Sequence, residues 1–94
     1  MKKVSILVPE NSVLQAIADP QYLFSAVNQF LMASRKKALF EIQLVGVNRE
    51  IKLNNGLYTV NSSHLLKDVI ETDLIIIPAL FGDMKTAIAQ NQKL

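Results

Sequence analysis

The apolar residues of this chain change period several times, and each change predicts an element. Val4, Ile6 and Val8 alternate with Ser5 and Leu7, the pattern of a short buried strand that ends at Pro9. Ser12-x-x-Gln15 matches a capping box, in which hydroxyl and amide each satisfy an orphan backbone N–H, and predicts a brief helical turn carrying Val13, Leu14 and Ile17. Asp19–Pro20 is a second start signal, because Asp caps well and Pro at the first helical position forfeits no hydrogen bond. Beyond it Leu23, Phe24, Val27, Phe30, Leu31 and Ser34 recur at helical spacing, with Gln21, Ser25, Asn28 and Arg35 opposite. This predicts an amphipathic helix over 20–36, with Arg35–Lys37 completing a last turn where cations complement the dipole.

Phe40, Ile42 and Leu44 form one face of a second strand, Glu41 and Gln43 the other, and Val45–Val47 extend it. Asn55–Gly56 stands between the alternating segments at 51–54 and 57–60, a strong hairpin signal because both turn positions need positive φ. Asn61–Ser63 is expected to cap a short helix through Lys67. The run Asp73–Pro78 (DLIIIP) has four apolar residues with no polar alternation, which predicts a strand covered on both faces, as in a parallel sheet flanked by helices. Gly82–Asp83 then opens a helix with Met84, Ala87, Ile88 and Leu94 on one side. The expected fold is an α/β three-layer sandwich with a mostly parallel sheet. In such sheets ligands bind beyond the carboxyl ends of the strands, here around 78–82 and at Glu10, which follows the first strand.

Composition narrows the function. The chain has 94 residues, half of them hydrophobic, which is apolar for its size and points to a partner surface, a dimer or an incomplete domain. A net charge of +2 with dispersed cations argues against a nucleic-acid surface within these residues. Absence of cysteine excludes disulfides, thiolate metal sites and a Cys nucleophile in this sequence. The apolar stretch behind Lys2–Lys3 is too short for a signal peptide and no run reaches the length of a membrane span; a cytoplasmic location is the default expectation. Gly46, Gly56 and Gly82 are isolated, so there is no phosphate-binding glycine motif. His64 is the single histidine and reads as an exposed residue at a helix start. The carboxylates are scattered, so neither a triad nor a metal site is expected.

The succession KKVSILVPE, DPQYLFSAVNQF, FEIQLVGV, NNGLYTV and HLLKDVIETDLIIIP resembles the ThiJ/PfpI-like group of class I glutamine-amidotransferase-like domains. The nearest variety is the one fused to AraC-family transcription regulators, with Pro20, Phe24 and Val27–Asn28 fitting its first-helix pattern. The resemblance implies a flavodoxin- or Rossmann-like sheet and makes residues 1–94 the amino-terminal part of such a domain. Departures from the family pattern fall on its chemistry. Ala16 stands where an acid is expected, Asp19 where a glycine is, and Ala79–Leu80 where a Gly-Gly pair follows the later strand. The nucleophile elbow would lie beyond Leu94.

What the resemblance then implies is a non-catalytic ligand-sensing or dimerisation domain of an AraC-family-like regulator. A small-molecule effector would sit in a pocket framed by Pro9, Glu10, Asn11, Ala79, Leu80 and Phe81. No cofactor or metal is expected. The expected partner is a second copy, in a homodimer. DNA would be reached only through a carboxyl-terminal domain that these residues do not include. A truncated enzyme of the same superfamily (protease, amidase or glyoxalase-like) and a small flavodoxin-like interaction module are the alternatives.

Overall fold

The computed structural model describes residues 1–80 together with Ile88 and Asn91. Strand β1 (Lys2–Leu7) leads into one long helix, α1 (Leu14–Ala33), and then β2 (Phe40–Gly46). A hairpin, β3 (Glu50–Leu53) and β4 (Tyr58–Asn61), precedes the two-residue β5 (His64–Leu65), a single 3₁₀ turn at Leu66–Asp68, and β6 (Leu74–Ile76). Four strands form one parallel sheet in the order β5-β2-β1-β6, while β3 and β4 pair antiparallel by themselves. The mixed α/β fold expected from the pattern is therefore present, with one described helix layer, as in an incomplete α/β domain. The expected final helix lies outside the described residues, apart from Ile88 and Asn91.

Parallel register aligns side chains in rows: Val4 with Ile42 and Leu74, Ile6 with Leu44 and Ile76. These rows face α1. Val4, Ile6 and Val8 are buried against Ile17 of the helix and Ile51 and Leu53 of β3, with Phe24, Phe40 and Ile42 packed around them. Phe24 meets Phe40 edge to face, ring centroids 4.7 Å apart, a favourable aromatic geometry. Asn28 pins the entry to β2. Its Oδ1 accepts the N–H groups of Leu39 (3.0 Å) and Phe40 (2.9 Å), and its Nδ2 donates to the Phe40 carbonyl at 2.7 Å. On the opposite face Ser5 Oγ lies 3.1 Å from Gln43 Oε1 and 2.8 Å from Thr72 Oγ1, so the buried polar residues Ser5 and Gln43 are hydrogen-bonded.

Several expected local features are replaced by others. The capping box at Ser12 does not form: the helix N-cap is Val13, without a side-chain bond, and the Ser12 hydroxyl turns back to the Pro9 carbonyl. Asp19 caps nothing, because one helix runs through Asp19–Pro20 and places Pro20 in its interior. Arg35–Lys37 lie beyond the last turn rather than in it. Ala33 ends the helix, and Arg35 at φ 62° closes a Schellman motif in which Lys36 N–H reaches Leu31 O (2.8 Å) and Arg35 N–H reaches Met32 O (3.0 Å). The helix expected before Lys67 is one 3₁₀ turn. The hydroxyls meant to cap it hold strands instead, Ser63 Oγ accepting Leu44 N–H at 2.8 Å and Ser62 Oγ donating to Asn48 O at 2.8 Å.

The DLIIIP strand is the largest departure. It forms, but at the sheet edge, with Leu74, Ile75 and Ile77 each exposed rather than covered on both faces. The hairpin forms with Asn55 and Gly56 at positive φ (53° and 88°) as expected, but Asn54 is left-handed too (φ 51°) and pairing stops at Leu53 and Tyr58, so the connection is a four-residue loop, 54–57, rather than a two-residue turn. Gly46 also has a reason: an added Cβ there would lie 2.9 Å from Asn48 O and 3.0 Å from Ile51 Cδ1.

Candidate functional site

From β1 the chain moves outward through β2 to β5, then returns to the other side of β1 with β6. The strand order reverses between β1 and β6. At such a switch point adjacent loops leave in opposite directions and open a crevice beyond the strand ends. The loops at this crevice are 8–13 and 77–80, which brings Pro9, Glu10 and Asn11 together with Ala79 and Leu80. Phe81 lies outside the described residues.

Pro9 ends β1 because it has no N–H for the ladder, and Val8 makes the last bond, N–H to Val45 O at 2.8 Å. Asn11 then adopts φ 58°, a left-handed turn that asparagine tolerates better than most residues. Each following group is tied down. Glu10 N–H donates to Asn91 Oδ1 at 2.7 Å while Asn91 Nδ2 donates to the Glu10 carbonyl at 2.9 Å. Asn11 N–H reaches Lys52 O of the hairpin (3.2 Å), and Asn11 Oδ1 accepts Asn55 N–H (3.3 Å). Ser12 N–H and Oγ–H both point to Pro9 O, at 3.3 and 2.7 Å. Val13 N–H donates to Ala79 O at 2.8 Å, and Ser12 forms an isolated antiparallel bridge with Leu80.

This arrangement decides what the loop can do. Every backbone N–H from Val8 to Val13 is engaged, Pro9 having none. An oxyanion hole or phosphate cradle needs such donors free and convergent, so the β1 loop provides neither in this conformation. The side chains are a half-buried carboxylate at Glu10, an amide at Asn11 and apolar groups at Pro9, Ala79 and Leu80. No three His, Cys, Asp or Glu residues converge into a metal-binding group among the described residues.

A hollow of about 140 Å³ lies beside the loop, lined by Ser12, Val13, Leu14, Leu53, Asn54 and Tyr58. That is the size of a cavity that holds benzene, and below the several hundred Å³ of a pocket for a drug-sized molecule. A larger depression of about 340 Å³, lined by Met1, Lys2, Leu39 and Glu71–Asp73, opens at the amino ends of the strands, the end where α/β sheets do not place ligands.

Two features were not visible in the sequence. Asn91 clasps Glu10 across 81 positions, and no local pattern marks such a pairing. His64, read as exposed at a helix start, is a half-buried residue of β5, with Nδ1 2.9 Å from Ser63 Oγ. That hydroxyl also accepts Leu44 N–H, which makes it part of the β2–β5 seam, on the far side of β2 from the switch point.

No protein-family profile and no curated protein matches the chain. Among solved structures it is similar to the crystal structure of an AraC family transcriptional regulator from Pseudomonas putida, with a TM-score of 0.56 at 11% identity. The likeness covers 86% of this chain and 48% of that one, so this chain spans about half the length of its structural neighbour. At that identity the likeness is one of fold. No helix among the described residues is long and apolar enough to cross a membrane.

Proposed function

We propose that these residues are the non-catalytic, amino-terminal part of a ThiJ/PfpI-like sensor domain in an AraC-family-like transcription regulator, acting in the cytoplasm as a dimer. The observation that carries this reading is the β1 loop. It stands at the switch point where this class of sheet binds ligands, yet its donors are consumed in holding the loop, the hairpin and Asn91 together. A catalytic site of this architecture spends such donors on the reacting atoms. Here they make a junction of four chain segments, which suits a site that reports occupancy by a shift in packing. The fold likeness to half of an AraC family regulator supports the same reading. An effector group entering the hollow beside Ser12 and Tyr58 is a small apolar fragment with one or two polar atoms, judged by its size and lining.

Reading the gene beyond Leu94 tests the proposal directly. The expected result is a paired-helix, basic DNA-binding segment on the same polypeptide, roughly a hundred residues or more further on. A cysteine at a strand-turn-helix about twenty residues past Leu94, without that segment, would establish the enzyme alternative instead. A stop immediately after Leu94 would leave the self-standing interaction module.

A further inference from the structure

The hairpin loop 54–57 carries a reactive pair. Asn55 is followed by Gly56, and an asparagine side chain is open to attack by the backbone nitrogen of the residue after it. Gly56 has no side chain to block that attack, and a Cβ built there would meet nothing within 4 Å. Asn55 is exposed, and its side chain makes no hydrogen bond to another described residue. The other asparagines are better protected. Side-chain hydrogen bonds hold Asn11, Asn28 and Asn91. Asn48 and Asn54 precede Arg49 and Asn55, whose own side chains crowd the attacking nitrogen. Asn61 precedes the buried Ser62, whose N–H is fixed to Arg49 O at 2.8 Å.

We infer that Asn55 is a site of spontaneous covalent modification, and that its product loosens the hold of the hairpin on the switch-point loop. Hydroxide removes the proton of Gly56 N–H, and the nitrogen attacks Asn55 Cγ. An N–Cγ bond forms, the Cγ–Nδ2 bond breaks, and ammonia leaves with the returned proton, giving a cyclic succinimide. Water then opens the ring. Addition at Cγ breaks the new N–Cγ bond and leaves aspartate. Addition at the backbone carbonyl breaks the original peptide bond and leaves isoaspartate, with the chain now running through Cγ. Nothing is oxidised or reduced, and one water is consumed for each ammonia released. The modification adds a negative charge in either case.

Two hydrogen bonds close the loop around this link, Gly56 N–H to Leu53 O (3.2 Å) and Leu57 N–H to Asn54 O (3.1 Å). The attacking nitrogen is released only when the loop opens, so the rate follows local opening of the hairpin. Isoaspartate inserts one backbone carbon between Asn55 Cα and the Gly56 nitrogen, and neither bond keeps its geometry. The change reaches further through Asn11. Asn55 N–H donates to Asn11 Oδ1 at 3.3 Å, and Asn11 N–H to Lys52 O at 3.2 Å. A lengthened loop draws Asn55 away from Asn11 and weakens this tie. Aspartate leaves the backbone unchanged and preserves it. The chemistry depends on the hairpin alone, so it stands whether or not the regulator reading does.

Ageing the 94-residue chain in mildly alkaline buffer, beside a synthetic peptide of residues 50–61, tests the inference. Mass spectrometry is expected to show a gain of about 1 Da at Asn55, at least ~10-fold faster than at any other asparagine of the folded chain. Part of the product is isoaspartate, detected by isoaspartyl methyltransferase. The folded chain reacts more slowly than the peptide, and urea that opens the hairpin narrows the gap. In the aged protein the Asn11 amide exchanges with solvent faster than in the fresh protein, while that of Ile6 in β1 stays protected. Asn55→Gln, whose longer side chain closes a less favourable ring, stays unmodified and keeps Asn11 protected after the same ageing. Asn55→Asp carries the charge without the added carbon and also keeps Asn11 protected. No product at Asn55 by the time the peptide has reacted completely overturns the inference, as does equal reaction at other asparagines. So does Asn11 exchange that is unchanged by ageing, or that is as fast in fresh Asn55→Asp as in the aged chain.

Discussion

Asn28 ties helix α1 to the start of β2. Three hydrogen bonds from one helical side chain fix the first two residues at the entry to β2, and so set the register between β2 and β1. Each such bond contributes about 1 kcal/mol, and unsatisfied partners add to the loss. Asn28→Ala is accordingly expected to lower unfolding free energy by about 2–4 kcal/mol in urea titration. Asn28→Asp separates the roles, because it keeps the acceptor for Leu39 and Phe40 but sets an oxygen against the Phe40 carbonyl. It too should destabilise, and equal stability to wild type would rule out the donor's contribution. The sequence marked Asn28 as a polar residue opposite the apolar stripe and as part of the family-like Val27–Asn28 pair, but not by what it bonds. Which backbone it reaches depends on where β2 docks, and that no local pattern contains.

At the scale of elements, α1 shows how tertiary packing overrides local signals. Asp19–Pro20 is a good helix start, yet the helix begins six residues before Pro20, because Leu14 and Ile17 gain burial against β1 and β3. Pro20 has no N–H to return to the Ala16 carbonyl, a cost of up to about 3 kcal/mol in a helix interior. Pro20→Ala should therefore raise stability by about 1–3 kcal/mol, read as a higher denaturation midpoint. A lower midpoint would mean that proline packing matters more than the missing bond. At the other end Arg35 holds a left-handed conformation that costs a side-chain-bearing residue about 1–2 kcal/mol. Arg35→Gly is expected to recover about 1 kcal/mol, less the greater entropy of glycine in the unfolded chain.

For the molecule as a whole, the switch-point loop joins parts distant in sequence: β1, the hairpin, the loop after β6 and Asn91. If that junction holds the strand ends together, Asn91→Ala frees the Glu10 peptide. Its amide should then exchange faster with solvent while the amides of Val4 and Ile6 in β1 stay protected. Uniform acceleration along β1 would instead mark Asn91 as a general stability residue. The edge position of β6 belongs to this scale as well. An uninterrupted apolar run correctly signals a strand with apolar surroundings, but Ile75 and Ile77 are exposed. The run measures the burial a strand is suited to, and the surrounding structure decides how much it receives.

Local chemistry by itself determined the parts of this protein whose causes are local. Alternation marked β1 and β2, Asn55–Gly56 marked its turn through the need for positive φ, and apolar spacing marked the body of α1, although Leu23 and Phe30, expected on its apolar face, are exposed. A mostly parallel sheet joined by crossovers followed from connection rules that permit few alternatives, whereas the reversal of strand order beside β1 is read from the structure alone. Only the tertiary structure decided the rest. Helix ends and the roles of Ser12, Ser63, Asn28 and Asn91 depend on contacts between segments far apart in the chain. Their free energies exceed those of a cap or a propensity, and so they prevail where the two disagree.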